Sequence, residues 1–160
     1  MIEKLRRQGA MLTTAESCTG GLIAACLTSV AGSSDVVDRG LVTYSNIAKQ
    51  QLLGVTTETL EAYGAVSQQT AIAMAQGALI NTPTANVSIA VTGIAGPGGG
   101  SDDKPVGLVH LAAAHRNPSQ ANEINVRHRE ARYGDIGRQE VRMATVMTAF
   151  EMLSEILEGE

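Results

Sequence analysis

The chain has 160 residues, is 44% hydrophobic and carries a net charge of −4, which suits one soluble domain, residues 1–160, that buries its own core. Its only aromatic side chains are Phe150 and three tyrosines, too few for a base-stacking platform, and the one arginine-rich stretch, Arg127 to Arg142, is interleaved with acids. No nucleic-acid partner is expected.

In chain order, "MLTTAES" reads as a short strand and "GGLIAACLTSV" as a helix, with apolar residues at Leu22, Ile23, Cys26, Leu27 and Val30. "VVDRGLVTY" is strand-like, with a bend near Gly40. "NIAKQQLLG" predicts a short helix starting on Asn46 and ending at Gly54. "TTETLEAYG" opens another helix on a threonine cap, and "SQQTAIAMAQGALINT" a third that Pro83 closes. "ANVSIAVTG" is nearly continuous in its apolar character, as expected of a strand covered on both faces. "VGLVHLAAAH" and "EINVRHRE" predict a hairpin across "RNPSQAN". An amphipathic helix over 137–157 ends the chain. The alternation predicts an α/β fold: a three-layer α/β/α sandwich around a mixed, mainly parallel sheet.

No apolar h-region follows the basic residues Lys4, Arg6 and Arg7, and no apolar run reaches the about 18 residues of a bilayer span. The reading is of a protein without a membrane partner in a reducing, cytoplasmic setting. Cys18 and Cys26 form no C-x-x-C pair, which argues against zinc and thioredoxin-type chemistry. Cys26 is expected in the core.

Ligands of α/β sheets sit beyond the carboxyl ends of the strands, and three small, polar segments fall at such ends. In "AESCTGG", Ser17 or Thr19 could cap the following helix, leaving first-turn N–H groups for an anion or oxyanion; a plain capped helix packed close at Gly20 and Gly21 is equally compatible. Cys18 could rival Ser17 as nucleophile, although a small packing residue is the simpler reading. "TYSNIAK" holds Lys49, one of three lysines. A lysine of lowered pKa can serve as base to a serine, while a solvated helix lysine would have no such role. Tyr44 lies five residues before Lys49, one too many for a Tyr-x-x-x-Lys pair. "TGIAGPGGGSDDKPVG" matches neither a Walker A nor a dinucleotide fingerprint, but its length favours a functional loop. His110, His115 and His128 read as strand residues without metal spacing. Asp102 and Asp103 lack a third acid and read as loop charges. Arg138 and Arg142, at i and i+4, share a helix face that could hold phosphate or only surface ion pairs.

Together, "TTAESCTGG", "AGSSDVVDRGLVTYSNIAK", "LLGV", "GAVS" and "TGIAGPGGGSDDKPVG" resemble the CinA C-terminal domain family, whose enzymatic members are PncC-type nicotinamide-nucleotide amidohydrolases. The likeness runs from about Thr13 to Leu111 and continues more weakly into the last helix. Where family members commonly have a tighter Gly-Asp-Arg turn, this chain reads "RYGDIGRQEVR".

The resemblance implies deamidation of nicotinamide mononucleotide to the nicotinate form by a serine mechanism without metal or cofactor. By motif position Ser17 would be the nucleophile, Lys49 the base, acting directly or through Tyr44, and Tyr44 their associated tyrosine. N–H groups around Thr19, Gly20 and Gly21, or from Gly93 to Gly96, would receive the oxyanion. Asn46, Thr92, Arg138 and Arg142 complete the expected substrate contacts. A non-catalytic nucleotide-binding module is the alternative. A homo-oligomer, with a dimer favoured, is also expected.

Overall fold

The apolar runs assemble into one five-stranded sheet in a computed structural model that describes residues 1–117 and 120–159. Its strands are β1 (Leu12–Glu16), β2 (Val37–Val42), β3 (Val87–Gly93), β4 (Leu108–Asn117) and β5 (Gln120–Arg132), ordered β2-β1-β3-β4-β5. β1 pairs parallel with both β2 and β3, whereas β3–β4 and β4–β5 are antiparallel. The sheet is therefore mixed, its parallel part confined to the three strands that carry the expected site segments at their carboxyl ends. The "RNPSQAN" connection is shorter than expected: strand structure reaches Asn117 and resumes at Gln120, while Pro118 and Ser119 lie outside the described residues.

Six helices cover the sheet: α1 (Ile2–Arg7), α2 (Leu22–Thr28), α3 (Asn46–Leu53), α4 (Thr57–Tyr63), α5 (Gln68–Ile80) and α6 (Arg138–Glu158). α1, α2 and α6 pack on one face, where Leu5, Ile23, Val146 and Leu153 meet Leu12, Ile89, Val91 and Leu111. On the other face α3, α4 and α5 bring Leu53, Leu60, Met74 and Ala75 against Ala15, Ala90, Ala112 and Ala114. Strand residues alternate between the two clusters, so β3 is covered on both sides as its sequence predicted. Alanine on the second face leaves little side-chain height, and α5 lies close enough for Ser88 Oγ to donate to the Ala75 carbonyl at 2.8 Å.

Two sequence expectations are corrected, and α1 is an addition, too short to show a helical period. The cap of α3 is Ser45, whose Oγ accepts from the Ala48 N–H at 3.1 Å, because Ser45 keeps extended backbone while Asn46 is already helical. Cys26 is only partly buried, packing against the core from its edge. Among the described residues, no helix is long and apolar enough to cross a membrane.

The tightest packing lies between α3 and α5. A Cβ built on Gly77 would stand 1.8 Å from the Leu53 carbonyl oxygen, so the two backbones touch where only glycine fits. Gly77→Ala is expected to destabilise the fold by about 3 kcal/mol, the upper end for overpacking, lowering Tm by about 9 °C in thermal circular dichroism. An unchanged Tm would mean that α3 is not pinned there.

Candidate active site

The three glycine- and hydroxyl-rich segments converge at the carboxyl ends of β1, β2 and β3. They enclose a cavity of about 240 Å³ lined by Ser17, Tyr44, Asn46, Lys49, Thr92 and Arg138. Gly93 and Ala95 from the glycine-rich segment, Cys18, and Ala65 and Val66 from the α4–α5 turn complete its wall. Ser17 is fixed at the end of β1 by its own N–H, which donates to the Val91 carbonyl of β3 at 3.0 Å.

Lys49 is 1% exposed, carried inward from the first turns of α3. Its Nζ lies 3.1 Å from Ser17 Oγ and donates to the Thr43 carbonyl at 2.9 Å, with the Tyr44 carbonyl at 3.5 Å. No carboxylate pairs with it among the described residues. Burial therefore holds its pKa below the ordinary lysine value of 10.5, with Cys18 acting in the opposite direction. The sequence left a solvated helix lysine open; the packed position removes that reading.

The start of α2 is organised differently from the expectation. Neither Ser17 nor Thr19 caps it. The buried carboxylate of Glu16 does, from the end of β1. Its Oε2 accepts from the N–H of Gly21 at 3.1 Å and of Ile23 at 2.9 Å, and from Thr19 Oγ1 at 2.7 Å. Its Oε1 accepts from the Ala24 N–H at 2.9 Å and from Thr14 Oγ1 at 3.1 Å. The Gly20 N–H is also used, donating to the Ser17 carbonyl at 3.0 Å. The N–H groups of Gly20 and Gly21 are thus already engaged and unavailable to an oxyanion. Glu16 has no role in the sequence reading, although it stands directly before Ser-Cys-Thr-Gly-Gly.

Tyr44 is 61% exposed, and its hydroxyl accepts from Arg138 Nη2 at 3.0 Å. It therefore does not stand between Ser17 and Lys49, which meet directly. Arg138, first residue of α6, also donates through Nη1 to the Gly96 carbonyl at 2.8 Å, so the "RYGDIGRQEVR" segment does deliver it to the cavity mouth. Arg142, one turn later, is turned to the Thr19 carbonyl at 2.9 Å and to Gln139. Thr19, Gly20, Gly21, Gly96 and Arg142 all lie outside the cavity lining. Thr92 Oγ1 donates to the Ala65 carbonyl at 2.7 Å, securing the turn that presents Val66. That turn belongs to "GAVS", a motif to which the sequence attached no contact.

Other candidates lie elsewhere. His110 Nδ1 and His128 Nε2 are 3.0 Å apart on the β4–β5 ladder, both held below the ordinary histidine value mainly by burial. His110 lines a separate cavity with Asp103, Lys104 and Glu130. His115 lies at the opposite end of the sheet, beside Ala10 and Asn86. No group of three metal-binding side chains occurs among the described residues.

Fold and site together define the class: a three-layer α/β domain that buries a lysine against a serine at the carboxyl edge of its sheet. The chain belongs to the CinA C-terminal domain family, whose pattern it matches over residues 1–157. It is 55% identical over 113 residues to the nicotinamide-nucleotide amidohydrolase PncC of Enterobacter agglomerans, covering 71% of this chain and 68% of that protein. It is 49% identical over 142 residues to a putative competence-damage inducible protein of Acetivibrio thermocellus, covering 89% of this chain but 32% of that protein. The chain thus spans about a third of the length of such curated relatives. The solved structure of competence/damage inducible protein CihA from Agrobacterium tumefaciens superposes with a TM-score of 0.85 at 59% identity, covering 98% of this chain and 94% of that one.

Burial pushes the Cys18 thiol up to about 12, so only about 10⁻⁴ of it is thiolate at pH 8. Iodoacetamide at that pH is expected to alkylate the partly exposed Cys26 and leave Cys18 unmodified, as read by peptide mass spectrometry. Preferential labelling of Cys18 would reopen its claim as nucleophile.

Proposed function

We propose that this domain hydrolyses the carboxamide of nicotinamide mononucleotide, giving nicotinate mononucleotide and ammonia, with Ser17 as nucleophile and Lys49 as base. The observation that carries the reading is the 3.1 Å approach of Lys49 Nζ to Ser17 Oγ in a buried position. A neutral lysine amine has two N–H groups and one lone pair. The carbonyls of Thr43 and Tyr44 take the two N–H groups, which leaves the lone pair for the Ser17 proton. Similarity to the PncC amidohydrolase supplies the substrate class.

In this mechanism Ser17 Oγ bonds to the carboxamide carbon as its proton passes to Lys49, and the carbonyl electron pair moves onto oxygen. Collapse of that oxyanion breaks the C–N bond, and Lys49 returns the proton to the leaving nitrogen, releasing ammonia. Water then attacks the Ser17 ester with Lys49 again as base, and the proton goes back to Ser17. The N–H groups of Cys18 and Ala95 suit the oxyanion. Both residues line the cavity, and neither N–H bonds another residue among those described. One such donor contributes about 3 kcal/mol to the barrier. Arg138 has no carboxylate partner among the described residues, and its free donors at the mouth suit the phosphate.

Ammonia release from nicotinamide mononucleotide should be lost in Ser17→Ala, by at least about 10³-fold; retained turnover would remove Ser17 as nucleophile. Because the base must be neutral, kcat/KM should rise with pH along a limb whose midpoint lies below the ordinary lysine value of 10.5. Lys49→Arg, which keeps its proton, should be inactive throughout that range. Tight nucleotide binding with no ammonia released by the wild type would favour the non-catalytic module instead.

Arg138→Met should raise KM for nicotinamide mononucleotide by about tenfold, the loss of one charged contact, with kcat within about threefold. A fall in kcat at constant KM would assign Arg138 to the chemical step.

A further inference from the structure

We infer that Glu16 is the positioning residue of the nucleophile, a role that rests on the reading of Ser17 above. Its carboxylate is 1% exposed and accepts five hydrogen bonds, from Thr14, Thr19, Gly21, Ile23 and Ala24. A carboxylate offers about four lone-pair sites, against two for a serine or threonine hydroxyl. A serine or threonine cap could therefore not gather this set of donors. The helix residue at the cap position, Gly21, contributes no side chain and sits at φ 97°, so the start of α2 depends on a group from the preceding strand.

Those contacts act on the turn that carries Ser17. Ser17 lies between Glu16 and the residues Glu16 holds, in a turn closed by the Gly20 N–H on the Ser17 carbonyl at 3.0 Å. Bonding of Thr19 Oγ1 and the Gly21 N–H to one carboxylate oxygen fixes the turn, and with it the direction of Ser17 Oγ and the Cys18 N–H. The backbone of Glu16 reaches the base: its carbonyl accepts the Thr43 N–H at 2.8 Å, and the Thr43 carbonyl accepts from Lys49 Nζ at 2.9 Å. The Glu16 side chain thus sets the direction of Ser17, while its main chain, as at any strand residue, joins the strand end that holds Lys49. Thr19, in turn, is a tether of this turn and not a substrate contact.

Glutamine cannot take over. An amide nitrogen in place of Oε1 would face the Ala24 N–H, and in place of Oε2 the N–H groups of Gly21 and Ile23. Either orientation opposes donor to donor.

The test compares Glu16→Gln and Thr19→Val with wild type, each below its own Tm. Two readouts are taken: steady-state ammonia release, and the rate at which a fluorophosphonate probe labels Ser17. In Glu16→Gln, kcat and the labelling rate should both fall by about 100-fold, the scale of a misplaced reacting group, with KM within about twofold. Thr19→Val removes one tether without burying a new donor; both rates should fall by about tenfold, with Tm within about 3 °C of wild type. A purely structural role would lower Tm but leave kcat and labelling of the folded protein unchanged, and that result in either variant overturns the inference. If Glu16→Gln does not fold, Thr19→Val decides alone. Failure of wild type to release ammonia would refute the amidohydrolase reading, while the labelling rates would still report on Glu16.

Discussion

A lysine buried without a carboxylate beside it is costly, because the charged amine loses its water and gains no opposite charge. Burial of Lys49 shifts it toward the neutral amine, and the groups around it satisfy its hydrogen bonds. Two main-chain carbonyls from the end of β2 accept from its Nζ, and Ser17 Oγ from the end of β1 lies 3.1 Å from it. This requires β1 and β2 to be parallel neighbours, so that both strands end at the same edge of the sheet. It also requires α3 to approach that edge from the side, which the contact between Gly77 and Leu53 enforces. The dyad geometry is thus a product of strand order and one glycine, as well as of the two residues themselves.

Polarity is distributed across this edge with little redundancy. The start of α2, usually an open place for an anion, is closed by a carboxylate that belongs to the fold. Positive charge at the cavity mouth comes instead from Arg138, held by a carbonyl and a phenol and not neutralised by an acid. Arg142, chemically identical and one helical turn away, ties α6 to the turn that follows Ser17 through the Thr19 carbonyl. Two arginines on one face thereby divide into a cavity-lining group and a structural tether.

Much of this was legible in the sequence because it is local. The alternation of short β-branched runs with helical ones predicted the layers, and strand ends rich in glycine and hydroxyls predicted where the site would lie. The apolar run of β3 correctly foretold coverage on both faces. What was not legible was either too short to carry a pattern or depends on groups that meet only on folding. α1 has six residues, fewer than two turns, so no period could emerge. Ser45 and Asn46 are both good caps, and only the backbone angles chose between them. Glu16 could be seen, but not that five donors would converge on it, since hydroxyl and N–H groups from both sides of the nucleophile must first fold inward. The division between Arg138 and Arg142 likewise follows from how α6 meets two loops, which spacing along a helix does not encode.

The ends of the chain carry a consequence for how such a domain can be joined to others. α6 starts at the cavity with Arg138 and runs 21 residues, about 30 Å at the helical rise. Near its far end Ser154 and Glu158 receive Lys4 of α1. Entry and exit of the chain are therefore adjacent, and both stand a full helix length from the cavity. A polypeptide whose two ends meet at one place is mechanically a single point of attachment, here set a helix length away from the cavity.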